Sequence, residues 1–473
     1  MQKKLGARVW AVLLAVGLTG QFAWTIENMY LNVFLYNTIS QDPGYIAAMV
    51  GWSAAAATVT TLVMGALSDR LGRRKPFIVF GYLAWGVSVA AFGFITVDAA
   101  ARVFLNAAAA AAVLVVVLDC VMTFFGSTAN DAAFNAYVTD VTTEGNRGRV
   151  ESVLATLPLI SMLIIFGVFD GLTQRGEWQK FFLIFGVLVS AVGALAALLV
   201  REQPHTRSTA PFLENLTYGL RPSVVRANVG LYLSFAAFCL FSVAVQVFFP
   251  YLIIYLQSYL KIDAYAIVLG VVLLVASVVS VAFGRVIDRV GKLRFVLPAA
   301  VVMFVGLIAM FFVRSMLAVI VAGCVMMGGY MLVSAALGAD IRDRTPKDKV
   351  GHFLGIRMIF AVLLPMLLGP QLGAAVIRSG ELTYVELGQV KSVPTPEIFL
   401  AAALVLVTVF VPVLFLRRWD GIRARLDPEQ TAAVDTALAA GENVGVIGGP
   451  DGPTAVFTVQ PKEPAPPEED AHE

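Results

Sequence analysis

Apolar residues occupy most of this chain in long blocks that short polar loops separate. Many blocks exceed the roughly 18 residues that mark a candidate membrane-spanning helix. In lipid only a helix satisfies its own backbone donors and acceptors, so each block is predicted to be helical. The pattern predicts twelve membrane helices, which run Arg8–Tyr36, Tyr45–Leu67, Pro76–Val97, Val103–Ala129, Val150–Leu172, Phe181–Val200, Val224–Leu256, Ala264–Val286, Phe295–Val313, Met316–Leu337, Phe353–Ile377 and Ile398–Leu416.

Composition indicates an all-α membrane protein and excludes several other classes. Of the 473 residues, 59% are hydrophobic and 14% are charged, whereas a soluble domain carries about 25% charged residues. The net charge is only +2 and the basic residues lie in separate loops, so no nucleic acid partner is expected. The three cysteines lie in apolar blocks without the spacing of a metal site, and we expect neither a metal nor a cofactor.

The distribution of positive charge predicts the orientation of the chain in the membrane. Most of the 34 Lys and Arg residues lie in the two terminal segments and in the loops that lead from even-numbered to odd-numbered helices. By the positive-inside rule both termini are cytoplasmic, in a multi-pass protein of the inner (plasma) membrane. The opposite loops are short apart from 378–397, so the function is expected to lie within the bilayer.

The longest polar connection, 201–226, divides the helices six and six and contains three prolines. The sequence therefore predicts an N-terminal six-helix bundle at 1–200, a cytoplasmic linker at 201–223, a C-terminal six-helix bundle at 224–418 and a cytoplasmic tail at 419–473. In the tail, Asp427 followed by Pro428 is typical of a helix start. A short helix and then a disordered, proline-rich end are expected there.

One loop motif occurs twice at equivalent positions, between the second and third helix of each half. The first copy places Gly, Asp-Arg, Gly and basic residues at Gly65, Asp69, Arg70, Gly72, Arg73 and Arg74, and the second copy includes Asp288 and Arg289. A further loop in each half opens with an acid and closes with a base, as Asp140 and Arg147 do after helix 4. The chain therefore reads as a six-helix unit that has been duplicated.

Opposite charges at cytoplasmic helix ends can pair in one conformation and part in another, which predicts a gate. The alternative is that the basic residues only set topology and solvate the surface. For Asp69 and Asp288 the gate is favoured, because acids contribute little to the positive-inside bias.

Polar residues within the helices indicate a cavity in the first half. In helix 1 they recur at three- and four-residue spacing and form one face with an aromatic residue on it, at Gln21, Trp24, Thr25, Asn28 and Asn32. The alternative is that these side chains bond neighbouring helices. In the second half, Gln246, Tyr330 and Arg357 are candidates for the same cavity, and Arg357 could instead reach the cytoplasmic surface.

Two carboxyl groups lie deep in predicted helices, Glu27 in helix 1 and Asp119 in helix 4. An ionisable group at the bilayer centre costs at least about 2.5 kcal/mol on insertion scales and therefore requires a function. Desolvation favours the neutral form of a carboxyl group, which suits it to loading and releasing a proton. Asp170, at the end of helix 5, is expected to be interfacial.

The loop from Gly65 to Lys75, joined to six plus six helices, resembles the signature of the major facilitator superfamily. The resemblance implies two bundles that alternate access to a central cavity and a latch at Asp69. Lys75-Pro76-Phe77-Ile78 and Gln21-Phe22-Ala23-Trp24 resemble the sucrose-transporter and glycoside:cation symporter branch. Helix 2 lacks the acids that melibiose-type symporters carry there, so a proton is favoured over sodium as the coupling cation.

The segment Gly445–Thr458 resembles a glycine-rich segment of the membrane β subunit of sodium-pumping decarboxylases. We expect it to be a docking or disordered tail, because the helices of that subunit are absent from its surroundings. The leading hypothesis for the whole chain is proton-coupled symport of a sugar or glycoside by a monomer. Alternatives are proton-driven export of an apolar compound, a non-transporting sensor and a decarboxylase subunit. An enzyme is not expected, because no loop holds a nucleophile with a base or a metal cluster.

Overall fold

The described part of the chain contains twelve helices long and apolar enough to cross a membrane, as the sequence predicts. The computed structural model describes residues 5–143, 146, 150, 153–202, 219–346, 350–380, 383–386, 389–423, 443–449 and 452–459. We number the spans α1 to α12: Ala7–Ile39, Pro43–Leu71, Lys75–Phe94, Ala107–Val141, Leu157–Gln174, Trp178–Leu199, Val229–Tyr259, Tyr265–Gly284, Lys292–Phe312, Met316–Arg344, Gly355–Ser379 and Glu397–Ile422. Helix α8 continues beyond its span to Val290.

The outer surface of the helices is apolar, which identifies lipid as its solvent. Phe80, Val281 and Phe312 are among the large apolar side chains that the fold leaves exposed, at 72%, 82% and 71% of their surface. A soluble protein rarely exposes contiguous apolar patches on this scale. Buried polar groups and carboxyl groups lie inside the bundle instead, so the polarity pattern of a soluble protein is partly inverted.

Few elements lie outside these helices. Short helices at Val97–Ala101 and Pro222–Ala227 lie in the connections before α4 and α7. Two antiparallel hairpins pair β1 with β2 and β3 with β4, and their strands are Thr383–Glu386, Gln389–Ser392, Asn443–Gly449 and Gly452–Val459. The sequence did not predict the second hairpin, which coincides with the glycine-rich tail segment. The expected tail helix after Asp427, most of the linker and the proline-rich end lie outside the described residues.

Close helix contacts within each half depend on glycine. In the first half, α3 and α6 meet at Gly86, where an added Cβ would lie 2.4 Å from the Gly186 carbonyl oxygen. In the second half, α9 and α10 meet at Gly306 and Gly329. A Cβ added at either glycine would lie within 2.4 Å of a methionine backbone nitrogen. Small residues allow backbones in membranes to approach closely and gain dispersion energy. Each half is therefore a tightly packed unit.

The two halves meet at one end of the bundle. We call the end that carries the Gly65–Pro76 loop the motif end, and the other the opposite end. Between described residues, all hydrogen bonds and ion pairs that join the halves lie at the opposite end: Tyr36 to Ser392, Asn37 to Gln257, Tyr251 to Pro43, Tyr265 to Asp170, Gln174 to Asp263 and Arg378 to Asp42. Gly284 and Gly338, near the motif ends of α8 and α10, have open space at the Cβ position. The described polar contacts between the halves therefore lie at the opposite end of the bundle.

Candidate functional site

A polar cavity of about 250 Å³ lies between the two halves near mid-depth. Its walls come from α1, α2 and α4 of the first half and from α11 of the second. The first half contributes the polar side chains, and α11 contributes an apolar wall; the lining residues are Trp24, Glu27, Asn28, Ser53, Ala54, Ala57, Asp131, Met358, Val362 and Met366. Because both halves line it, the cavity must change shape if the halves move.

Two carboxyl groups predicted from the sequence meet beside this cavity. The Glu27 side chain is 7% exposed and its Oε1 accepts a hydrogen bond from the Thr123 hydroxyl at 2.9 Å. Asp119 is 1% exposed, and the Ser53 hydroxyl lies within hydrogen-bonding reach of it. One oxygen of each carboxyl, Glu27 Oε2 and Asp119 Oδ1, has no hydrogen-bond partner. Buried polar atoms are normally satisfied, so these two oxygens are exceptions among the described side chains.

A third carboxyl group, Asp131, lies on the same cavity and was missed by the sequence analysis. The sequence predicted that helix 4 ends at Ala129, whereas α4 continues to Val141 and carries Asp131 inside the bundle. The Asp131 carboxylate accepts hydrogen bonds from the Ser127 hydroxyl at 3.1 Å and the Asn130 amide at 3.4 Å. Continuation of the helix could have been predicted, because no glycine or proline occurs between Ser127 and Val141.

Both helices that carry these carboxyl groups contain a π-helical turn at the site. The turns are Ile26–Tyr30 in α1, which includes Glu27, and Ser127–Phe134 in α4, which includes Asp131. A π turn holds one more residue than an α turn and changes the direction of the side chains that follow it. Such turns are rare and occur frequently at functional sites. Of the polar residues predicted to share one face of helix 1, only Asn32 follows the π turn of α1, so the turn changes its direction relative to Trp24.

The residues proposed for the polar face of helix 1 separate into two groups. Trp24 and Asn28 line the cavity. Thr25 instead bonds the Ser161 hydroxyl of α5 at 3.0 Å, so it joins two helices and does not face the cavity. The amide nitrogen of Asn32 bonds the Asn28 carbonyl oxygen at 2.9 Å and its side chain is 1% exposed. Gln21 accepts the Thr25 hydroxyl through its backbone carbonyl and does not line the cavity.

In the second half, the three candidate residues lie near the cavity but do not line it. Gln246 packs against Gly369 of α11, and Tyr330 stacks on Phe241 with ring centroids 5.6 Å apart. Arg357 is exposed and immediately precedes the lining residue Met358. No described carboxylate is within ion-pair distance of Arg357.

At the motif end of the first half, Arg74 is the centre of a charged network. Gly72 ends α2 in the left-handed conformation, with φ of 67°, which turns the chain so that Arg74 folds back on the helix end. The guanidinium of Arg74 bonds Asp69 at 2.5 Å, Asp140 at 3.2 Å and the Ser68 hydroxyl at 2.5 Å. Asp69 therefore pairs within its own half. The central residue of this network is Arg74, which the sequence analysis named only as one member of the motif.

The motif end of the second half has a network of its own. Gly291, with φ of 93°, occupies the position equivalent to Gly72. Arg344 of α10 pairs with Asp340 at 2.8 Å and with Asp420 of α12 at 2.6 Å. These pairs lie within one half, and the described charged groups at the motif end form no ion pair between the halves. Arg70, Arg73 and Arg289 are exposed without a described ion pair, whereas Arg147 and the side chain of Asp288 lie outside the described residues.

An apolar seam lies between α1 and α5 of the first half and α7 to α10 of the second. It is lined by five methionines among leucine and valine side chains, namely Met29, Met162, Met310, Met326 and Met327. Its cavity volume is about 30 Å³ and no polar side chain lines it. A buried water needs two to four polar partners, so the seam is dry. Asn28 lines the polar cavity while the next residue, Met29, lines the seam, which places both on the same π turn of α1.

Twelve membrane helices in two halves around a central cavity, with buried carboxyl groups and charged loops at one end, define a membrane transporter. The sequence model described as Major Facilitator Superfamily matches residues 12–370. The chain belongs to the major facilitator superfamily, and it is therefore a transporter and not an enzyme. No group of three or more potential metal-ligating side chains that could hold a metal ion is found among the described residues.

Solved structures with the same fold are distant in sequence. The nucleoside transporter NupG is 11% identical with a TM-score of 0.63, and the match covers 87% of this chain and 99% of that one. A bacterial homolog of the human lysosomal transporter Spinster, in an inward-facing and unoccupied conformation, is 14% identical with a TM-score of 0.59, covering 92% and 98%. No curated protein matches the chain. These similarities establish the fold alone.

Proposed function

We propose that this transporter couples movement of a proton to movement of a hydroxyl-rich small molecule, most simply a sugar or glycoside. The observation that carries the proposal is the pair of unsatisfied carboxyl oxygens on Glu27 and Asp119 beside a cavity that both halves line. Protonation would remove the negative charge of either buried group and with it the cost of keeping that charge out of water. The affinity of the cavity for a substrate would then depend on the charge of these two carboxyl groups.

The polar lining favours a hydroxyl-rich substrate. Asn28 and Ser53 offer donors and acceptors, and Trp24 offers a ring face on which a sugar can stack. Export of an apolar compound is the second candidate, because Met358, Val362 and Met366 form an apolar wall. The methionine-lined seam does not support that candidate, because about 30 Å³ is far below the roughly 300 Å³ of small ligand pockets.

Under this proposal the motif end faces the cytoplasm, since the basic loops lie there and the positive-inside rule applies. The conformation is then open to the cytoplasm, in a monomer of the inner membrane. A fluorescent protein fused after Glu473 should fold and fluoresce in whole cells if the C-terminus is cytoplasmic. A fusion that is inactive there, with an active periplasmic reporter at the same position, would reverse the assignment.

Proteoliposomes containing a pH-sensitive dye test the coupling. A panel of mono- and disaccharides is added outside, and nucleosides are included because the fold is similar to a nucleoside transporter. One or more substrates should acidify the lumen in proportion to uptake. Movement of an apolar dye against the proton gradient would favour the exporter, and the absence of any substrate-dependent movement would favour a sensor.

The variant Asp119→Asn tests the assignment of the carboxyl site. It should abolish substrate-dependent proton movement while retaining exchange of labelled substrate, because the amide keeps the shape but cannot bind the proton. Asp98→Asn is the matched control, since Asp98 is exposed in the short helix before α4. Undiminished proton coupling in Asp119→Asn would refute the assignment of Asp119.

A further inference from the structure

Asp170, near the end of α5, is a buried carboxylate at the opposite end of the bundle. It is 2% exposed, so it is buried within the protein at this end. Its oxygens accept hydrogen bonds from the Tyr30 hydroxyl at 2.9 Å, the Gln174 amide at 2.6 Å and the Tyr265 hydroxyl. The Thr173 hydroxyl lies 3.3 Å from one of these oxygens, but its closer acceptor is the Asp170 backbone carbonyl at 2.8 Å. A carboxylate offers about four acceptor sites, and three donors fill most of them.

The three donors come unequally from the two halves. Tyr30 and Gln174 belong to α1 and α5 of the first half, whereas Tyr265 is the first residue of α8 in the second. Without Tyr265 the carboxylate would still hold two donors from its own half. Separation of the halves at this point therefore removes one of the three hydrogen bonds to Asp170, together with the bond from Gln174 to the Asp263 carbonyl, and does not leave the buried charge without partners. This is the condition for a contact that opens and closes reversibly.

Other polar contacts between the halves at this end are weaker by their chemistry or their exposure. The side chains of Arg378 and Asp42 are 53% and 46% exposed, so water screens their ion pair. Tyr36 and Tyr251 donate to neutral backbone carbonyls. Hydrogen bonds with an ionised partner are roughly twice as strong as neutral ones, so the bond from Tyr265 to Asp170 is the strongest of this set.

Asp170 is also connected to the carboxyl site at mid-depth. Its donor Tyr30 is the last residue of the π turn Ile26–Tyr30, which also contains Glu27. A change of shape in this single turn would move Tyr30 and with it the acceptor that Tyr265 uses. The polar cavity and the contact between the halves thus share one five-residue segment of α1.

We infer that Asp170 is a positioning residue of the transport cycle. It binds Tyr265 to close the opposite end, and it stays bound to Tyr30 when that end opens. The inference rests on the alternating access of the proposed function and not on its substrate or its proton coupling. It applies to a residue outside the loop motif and outside the polar cavity.

The test compares Tyr265→Phe with Tyr255→Phe in the full-length protein. Tyr255 is the matched control, because it is a buried tyrosine of the second half whose hydroxyl has no hydrogen-bond partner. Spin labels at Ala99 and Ser315, which are exposed at the opposite end of different halves, report the distance between the halves. Loss of one charge-assisted hydrogen bond should raise the ratio of open to closed conformers about tenfold in Tyr265→Phe and leave it unchanged in Tyr255→Phe.

An unchanged distance distribution in Tyr265→Phe, or an equal shift in Tyr255→Phe, would overturn the inference. Asp170→Asn is the second variant if Tyr265→Phe does not fold, and it should shift the same ratio because the amide oxygen is a weaker acceptor. Distances are measured without substrate or a proton gradient. Failure of the proposed coupling would therefore leave this result standing, and failure of the Asp170 inference would leave the uptake assays unaffected.

Discussion

Replacement of Arg74 by alanine should destabilise the first half far more than the same change at the neighbouring Arg73. The side chain of Arg74 is 7% exposed and contacts three acceptors from α2 and the end of α4. Arg73 carries the same charge in the same loop, but it is exposed. The pair of variants therefore separates the effect of the contacts from the effect of net charge.

The magnitude follows from the surroundings of each acceptor. Asp69 is 47% exposed, so its pair with Arg74 contributes under about 1 kcal/mol after screening. Asp140 is 17% exposed, and a hydrogen bond to a charged group there contributes about 1.5–3 kcal/mol. Ser68 keeps a bond to the Gly65 carbonyl and loses little. We expect a loss of about 3 kcal/mol for Arg74→Ala and within about 0.5 kcal/mol for Arg73→Ala.

Denaturant unfolding of the protein in mild detergent measures both losses, from the midpoint and the slope of each transition. A double-mutant cycle with Asp140→Ala isolates the largest contact and should give a coupling energy of about 1.5–3 kcal/mol. Equal midpoints for the Arg73 and Arg74 variants would refute the assignment of Arg74 as the central residue of this network, and so would additivity of the cycle within about 0.3 kcal/mol.

Two other predictions concern packing and the tail. Gly306→Ala should cost about 1–3 kcal/mol in the same unfolding assay, because the added methyl meets the Met326 backbone at 2.3 Å; Gly284→Ala, which meets nothing within 4 Å, should not destabilise the protein, and equal losses would contradict the packing argument. Deletion of residues 441–473 should leave the rate of substrate uptake unchanged, because the tail forms none of the described cavity; a loss of uptake with normal expression would assign the tail a role in transport.

Features that depend on the solvent around the chain could be predicted from the sequence. The twelve helices and their division into two sixes follow from the length of the apolar blocks, because lipid permits no other backbone arrangement there. The sequence did not predict that Glu27 and Asp119 lie beside the same cavity. It did identify both residues as candidates, because each is an acid deep in an apolar block. The free energy needed to insert an ionisable side chain into the bilayer is enough to single out such residues.

Features that depend on local departures from the α-helix could not be predicted. The π turn Ile26–Tyr30 rotates the residues that follow it, so regular α-helical spacing cannot place Asn32 relative to Trp24. Thr25 precedes that turn and bonds Ser161 of α5, a partner that spacing does not reveal. The roles of Arg74 and Asp170 depend on partners from other helices that sequence spacing does not reveal. Asp131 is an exception, because an uninterrupted run without helix breakers could have extended α4 to include it.

The dry methionine-lined seam has an electrical consequence for the carboxyl groups. Glu27 precedes the end of α1 at Ile39 by a length of helix of roughly 18 Å at 1.5 Å per residue. Voltage falls mainly across insulating material, so in the proposed conformation, open at the motif end, the membrane potential acts mainly over the closed end of the bundle. A charge crossing that closed end gains or loses about 2.3 kcal/mol per 100 mV. In that proposed conformation Glu27 and Asp119 are electrically close to the solution at the motif end.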